Sequence, residues 1–442
     1  MSLYGLSTDE AAKALKDGLP VGVYGLGKMG LPLAGVFAES GARVFGADIN
    51  PGVVDSINKG TNPVIGEPGL DELISRVSSE GKLSASTSLS EVASKAVLHV
   101  ILVPTLVKDG VVDLSVVESV ASELSKGLKK GDVVVTECTM PPGSTMSLIS
   151  LLEGSGLKAG VDFGLAHCPE RTMSGSALRD IKGEYPKVVG CLDDASSKAV
   201  YGIYSVINLR GVINVSDIRS AECVKVFEGV YRDVNIGLAN ELTFVCERLG
   251  VDSLEVFDVA NSQPYCHIHR PGGVGGHCIP FYPFFVMDDE TDLLRVARAL
   301  NDSVALKLVD EAERLLGECS RSLDGARVLV LGLSFREGVK ETIKSISLDL
   351  FAHLKQRGAL VSCMDPLYTR DEVESFGVSY ADSFKGFDCV LISTNHHEFR
   401  SLDWDTISKV LSYPVVVDGR QVVDPVKLKE LGLLVYSLGY RI

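Results

Sequence analysis

Residues 20–24, Pro-Val-Gly-Val-Tyr, read as a short apolar strand that runs directly into Gly25-Leu-Gly-Lys-Met-Gly30. Residues 31–40 then read as a helix, and 44–47 as a second strand that ends at Asp48. This stretch constrains the fold more than any other. A strand, a G-x-G-x-x-G turn and a helix make a right-handed βα unit in a parallel sheet, and the turn is built for a dinucleotide. In that reading Gly25 makes the turn, Gly27 lets a pyrophosphate approach, and Gly30 packs helix on strand. Lys28 and Met29 complete the loop, and the phosphate charge sits at the helix N-terminus. Asp48 stands where a carboxylate would accept the ribose hydroxyls and repel a 2′-phosphate, so NAD is expected over NADP.

Further βα units follow. Strands are expected at 97–103, 132–136, 163–167, 188–190 and 212–215. Ligands in open parallel sheets lie beyond the carboxyl ends of the strands. Thr105, Thr139 in the 137–145 loop, and the Cys168-Pro-Glu170-Arg171 segment are therefore expected to face the cofactor side. Residues 7–17 read as a helix capped by Ser7. From 217 to 249 the apolar positions recur at helical spacing until Gly250. A helix of that length spans roughly 45–50 Å. Lys225, Gly229, Arg232 and Ile236 share one stripe of it.

A second unusual stretch is Arg270-Pro-Gly-Gly-Val-Gly-Gly-His-Cys278. Its glycines permit positive φ and close backbone approach to a ligand, and the loop ends on a thiol suited to nucleophilic chemistry. The plain alternative is a tight turn beside an inert, buried cysteine. Beyond residue 317 a second α/β unit is expected, with strands at 327–331, 361–365, 389–394 and 415–418 but no second dinucleotide fingerprint.

The net charge of −15 argues against non-specific nucleic-acid or membrane-surface binding. Ten scattered cysteines without a C-x-x-C pair, and a start carrying Asp9 and Glu10 with no apolar run, point to free thiols in the cytoplasm. No metal is expected, and no run approaches the ~20 apolar residues of a membrane span.

The motifs together resemble the nucleotide-sugar 6-dehydrogenases, the UDP-glucose/GDP-mannose dehydrogenase family. Gly-Gly-His-Cys-Ile-Pro is similar to that family's catalytic-cysteine signature. Val-Pro-Thr105, Thr139-x-Pro-Pro-Gly-Ser-Thr, Cys-Pro-Glu170-Arg, Ala-Glu-x-x-Lys225 and Asp-Gly-Arg420 match further motifs in the family's order. The resemblance implies two Rossmann-like doubly wound domains joined by a central helical region with a long helix. Residues 1–215 would bind NAD, 216–317 would carry the dimer helix and the cysteine loop, and 318–442 would bind the UDP-sugar. It implies a four-electron oxidation of a sugar C6 alcohol to the uronate by a homodimer. Cys278 is the expected nucleophile and Lys225 stabilises the oxyanion, while Thr139 and Glu170 place water or move protons. Arg171, Lys225, Arg232, Arg270, Gly273, Gly275, Gly276 and Arg420 are expected around the substrate.

The Cys-Pro-Glu-Arg and Gly-Val-Gly-Gly-His-Cys forms resemble the branch acting on UDP-N-acetylhexosamines, mannosamine first, with glucosamine or UDP-glucose as alternatives. Several positions depart from the family pattern. Ser174 replaces a Glu, Gly229 an Asn and Tyr282 an Asp. Tyr265 and Ile343 stand where arginines are usual, leaving Arg270 and Lys344 as nearby cations. Two rival readings remain: a β-hydroxyacid dehydrogenase, which leaves 270–285 and the C-terminal part unexplained, and a nucleotide-sugar-binding regulator without turnover.

Overall fold

The computed structural model describes residues 2–108 and 110–440. The chain folds into two compact units, residues 1–228 with 284–286, and residues 229–283 with 287–442.

The first unit is built on β1 (Pro20–Tyr24), β2 (Arg43–Ala47), β3 (Leu83–Ser86) and β4 (Leu98–Ile101). A small antiparallel hairpin, β5 (Leu106–Lys108) and β6 (Val111–Asp113), comes next. Then follow β7 (Val133–Thr136), β8 (Gly164–His167), β9 (Lys187–Cys191) and β10 (Val212–Asn214). The main sheet has the order β10-β9-β8-β7-β4-β1-β2-β3 and is parallel apart from the β8–β9 pair. The strand order reverses between β1 and β4, and the crevice for a ligand opens at the carboxyl ends there. Alternate residues feed opposite faces: Val133 and Val135 join one buried cluster, Val134 the other. Both faces are covered, which is why these strands read as unbroken apolar runs.

In the second unit β11 (Arg327–Leu331), β12 (Leu360–Met364), β13 (Ser379–Tyr380), β14 (Cys389–Ile392), β15 (Val415–Asp418) and β16 (Leu434–Ser437) form an all-parallel sheet, ordered β13-β12-β11-β14-β15-β16. Val328 and Val330 pack on one side, Leu329 and Leu331 on the other. The strands that periodicity does not single out, β3, β5, β6, β13 and β16, all lie at sheet edges. An edge needs only one row of backbone partners and one covered face, so short mixed segments such as Leu-Ser-Ala-Ser suffice. Expected strands survive with ends moved by a residue or two: 97–103 contracts to Leu98–Ile101 because Leu102 to Thr105 turn out of the sheet.

Ser7 caps the first helix, Thr8–Lys16, through a full capping box with Glu10. The long helix is Ile218–Leu249, 32 residues. Glycines make notches in it. A methyl group at Gly237 would lie 3.0 Å from the Ala297 carbonyl oxygen, on the helix Asp292–Glu318. Among the described residues no helix is long and apolar enough to cross a membrane.

Candidate active site

In the first unit, Gly25 has φ +96°, and its amide donates to the Ala47 carbonyl at 2.8 Å, which joins the turn to β2. A methyl group on Gly30 would overlap the Gly25 carbonyl oxygen, so helix Gly30–Glu39 starts as close to the turn as backbone allows. Gly27 is the opposite case: apart from its own chain neighbours, no protein atom lies within 4 Å of where its Cβ would be. The helix has no side-chain cap at Met29. The Leu31 amide donates to the Gly27 carbonyl at 3.0 Å and Pro32 has no N–H, so what this helix N-terminus offers is the open cradle over Gly27, the space a pyrophosphate fits. Asp48 closes the loop, accepting from the Leu26 amide at 2.9 Å and the Asn50 amide at 2.9 Å. Each carboxylate oxygen keeps a second acceptor site for ribose hydroxyls.

Replacing Gly30 by Ala drives Cβ into the turn that shapes this cradle. Dinucleotide affinity is expected to fall about tenfold or more, roughly 1.4 kcal/mol, with UDP-sugar affinity unchanged. Calorimetric titration of each ligand separately reads both.

The loops that follow β4 and β7 are tied together by Thr105, whose hydroxyl donates to the Thr139 carbonyl at 2.7 Å. Glu222, one turn before Lys225, accepts the amides of Gly143 and of Thr145, the latter at 2.8 Å. Burial pushes the Glu222 carboxyl up, and these amide donors hold it down. Sequence reasoning did not single out Glu222. Its signal was its place in Ala-Glu-x-x-Lys225.

Glu170 accepts the amide of Thr172, whose hydroxyl lies 2.9 Å from the Met29 sulfur. The Cys-Pro-Glu segment and the fingerprint loop thus meet within one unit. Behind them is a cavity of about 20 Å³, bordered by Met29, Glu137, Glu170, Arg171, Lys187 and Tyr204. Lys187 pairs with buried Glu137 at 2.6 Å, and Tyr204 donates to the same carboxylate. Burial raises the Glu137 carboxyl while the lysine opposes it. Arg171 is bound to Glu228 at 2.6 Å and lies over the Tyr185 ring. Its charge is therefore partly met by protein.

The second unit holds the thiol. All ten cysteines are free, and Cys278 is the exposed one among them. That exposure argues against the inert core cysteine. The glycines before it press against protein. A Cβ on Gly273 would overlap Ile346, one on Gly275 would lie 2.5 Å from the Lys344 carbonyl oxygen, and one on Gly276 would lie 2.8 Å from the Phe335 ring. Gly272 and Gly276 have positive φ, whereas Gly273 and Gly275 do not. The close backbone approach expected toward a ligand is, at these three glycines, an approach to residues 335–346.

The Gly276 amide donates to the Ile343 carbonyl at 2.8 Å, and His277 pairs with Glu341. Residues 341–344, among which Ile343 departs from the family pattern, seat the loop partly through main chain. Lys344 itself has φ +49° and places its ammonium 6.0 Å from the Phe281 ring.

At the other end Asn240 grips Gly272 twice. Its carbonyl accepts the Gly272 amide at 2.7 Å and its amide donates to the Gly272 carbonyl at 3.2 Å. Arg420 approaches the same glycine, a Cβ on which would stand 3.0 Å from the guanidinium. Arg420 also donates to the Ser393 carbonyl at 2.9 Å. Asp418 beneath it accepts the amides of Arg420, Val422 and Val423, yet burial raises its carboxyl to about 6. Arg270, the other expected cation, is exposed and pairs with Asp258 at 2.8 Å. Arg232 is exposed on the long helix. Lys225, Glu170 and Thr139 belong to the first unit, and Cys278, Arg420 and Asn240 to the second.

Comparison with known proteins bears on the whole chain. Residues 19–208 match the NAD binding domain of the UDP-glucose/GDP-mannose dehydrogenase family, 219–303 its central domain and 329–425 its UDP binding domain. A UDP-N-acetyl-D-mannosamine dehydrogenase of Pyrococcus horikoshii is 32% identical over 410 residues, 91% of this chain and 96% of the relative. A solved structure of UDP-D-ManNAc dehydrogenase from Pyrococcus horikoshii superposes with TM-score 0.85 at 31% identity, covering 95% of this chain and 99% of that one. An NDP-N-acetyl-D-galactosaminuronic acid dehydrogenase of Ralstonia nicotianae is 33% identical over 419 residues, 90% of this chain and 95% of the relative. With a dinucleotide cradle in one unit, a glycine-seated thiol in the other, and matches over all three regions, the chain belongs to the UDP-glucose/GDP-mannose dehydrogenase family and is an NAD-dependent UDP-sugar dehydrogenase.

Proposed function

We propose that the enzyme oxidises the C6 alcohol of a UDP-N-acetylhexosamine, UDP-N-acetyl-D-mannosamine foremost, to the uronate through a covalent intermediate on Cys278. The observation that carries this reading is Cys278 itself, the exposed thiol among ten cysteines, at the end of a loop held by Asn240 and residues 335–346. Bound NAD supplies a hydride acceptor for each of the two oxidations. Loss of the first hydride and a proton leaves an aldehyde. The Cys278 thiolate adds to its carbonyl carbon, forming a C–S bond and an oxyanion. Loss of the second hydride leaves a thioester, and water cleaves the C–S bond to release carboxylate and thiol. One alcohol, two NAD and one water thus give one carboxylate, two NADH and three protons. Lys225 has the oxyanion-stabilising role, and Thr139 and Glu170 place water and move protons. Arg420, beside Gly272, is assigned to the substrate, as are Arg171, Arg232 and Arg270.

The assignment of residues 1–215 to NAD, 216–317 to the central region and 318–442 to the UDP-sugar accompanies this reading. So do a cytoplasmic location and a product destined for polysaccharide assembly. A homodimer on the long helix is supported by Phe227, Tyr231 and Leu238, large exposed side chains along one stripe. A monomer in sedimentation at micromolar concentration would remove that dimer.

The substrate is tested by NADH production with UDP-N-acetylmannosamine, UDP-N-acetylglucosamine and UDP-glucose in parallel. UDP-N-acetylmannosamine is expected to have the highest kcat/KM and to yield two NADH per sugar. UDP-glucose as the best substrate would overturn the branch assignment.

A further inference from the structure

Tyr282 and Gly229 occupy one space. Tyr282 is buried, 7% exposed, in the single helical turn Tyr282–Phe285 that follows the cysteine loop. Its ring lies so close to the long helix that a methyl group on Gly229 would overlap it. Such a methyl would stand 2.8 Å from Cγ and 2.9 Å from Cε2, with Cδ2 nearer still. Glycine is a poor residue for the middle of a helix, by about 1 kcal/mol relative to alanine. Here it makes a notch. On the other side of Tyr282, its amide donates to the Cys278 carbonyl at 3.0 Å, as does that of Phe281. The chain from the thiol to the ring is therefore a closed turn whose far end is seated in the helix.

We propose that Tyr282 is a positioning residue for Cys278: its ring in the Gly229 notch fixes where the thiol stands when the aldehyde is captured. Two departures from the family pattern are then one coupled device, because the ring needs the space that a glycine leaves and a glycine inside a helix otherwise costs stability. This rests on Cys278 acting as the nucleophile, and the test separates the two.

The test is a cycle of Gly229→Ala, Tyr282→Ala and the double variant, with Tyr282→Phe as the conservative control, all in the full-length enzyme. Thermal unfolding reads the geometry. Gly229→Ala is expected to lower Tm in the wild-type background and to raise it in the Tyr282→Ala background, where the notch is empty and alanine is the better helix former. The same sign in both backgrounds would overturn the shared space. Kinetics read the positioning. Each single alanine variant is expected to lower kcat about tenfold or more, with KM for the UDP-sugar within about threefold, and to release aldehyde, so that NADH per sugar falls from two toward one. The double variant should be no slower than Tyr282→Ala, and Tyr282→Phe should stay near wild type. Losses that multiply in the double variant, or unchanged kcat and stoichiometry in both single variants, would overturn the proposal. Two-NADH turnover retained by Cys278→Ala would instead overturn the nucleophile reading, whatever the cycle shows.

Discussion

Cys278→Ala is expected to abolish two-NADH turnover, with kcat lower by about 10³-fold or more, some 4 kcal/mol of barrier. The variant should still bind UDP-sugar and NAD, because the thiol makes none of the cradle contacts around Gly27 and Asp48. It should also fold normally: the side chain is exposed, so its loss opens no cavity. Single-turnover quench with analysis of the sugar measures this directly, aldehyde accumulating in place of uronate. Iodoacetamide should label Cys278 ahead of the buried Cys138, Cys168, Cys363 and Cys389, whose thiols burial pushes up. A destabilised variant with intact chemistry is what an inert structural cysteine would produce, and it would reopen the one-step hydroxyacid reading.

Arg298→Met is expected to produce the largest loss of stability in the second unit, about 3–5 kcal/mol. Arg298 is ion-paired with Asp233 of the long helix, and both are almost fully buried. Asn301 donates to the same Asp233 oxygen at 2.9 Å and to the Asp233 carbonyl at 2.8 Å, and it accepts from Asn240 at 2.9 Å. Asn240 in turn holds Gly272. Removing the guanidinium strands a buried carboxylate at the base of the network that seats the cysteine loop.

The pH dependence has a definite sign. Burial already raises the Asp233 carboxyl to about 6 against the opposing Arg298. A carboxyl raised in the folded state binds its proton more tightly there than in the unfolded chain. Stability from this group is therefore highest at low pH and falls as pH rises from about 4 through 6. Without Arg298 the folded value moves higher, so the deficit of Arg298→Met relative to wild type should be larger at pH 8 than at pH 5. Urea unfolding at both pH values measures it. Adding Asp233→Leu should recover much of the loss, since no charge is then left buried.

Some of this was legible in the residues because the controlling interactions are local. Gly25, Gly27, Gly30 and Asp48 lie within one βα unit, and strand, turn and helix are each dictated by near neighbours. The apolar runs announce the central strands because both faces of the sheets are covered. The helical spacing from 217 to 249 and the capping box at Ser7 are likewise short-range. The motifs also carried the family, now matched over three regions of the chain.

What only the tertiary structure decided involves partners far apart in the chain. The edge strands β3, β13 and β16 carry no strong pattern, because pairing on one side is enough to hold them. Glu222 capping the 143–145 amides, Asn240 gripping Gly272, and Arg298 neutralising Asp233 each join segments tens of residues apart, and no periodicity records such a contact. The same holds for the departures from the family pattern. Gly229 and Tyr282 read in sequence as two separate losses of polar side chains. In the fold they are one contact, because a missing Cβ on a helix is space, and only the packed structure shows that a ring 53 residues later fills it.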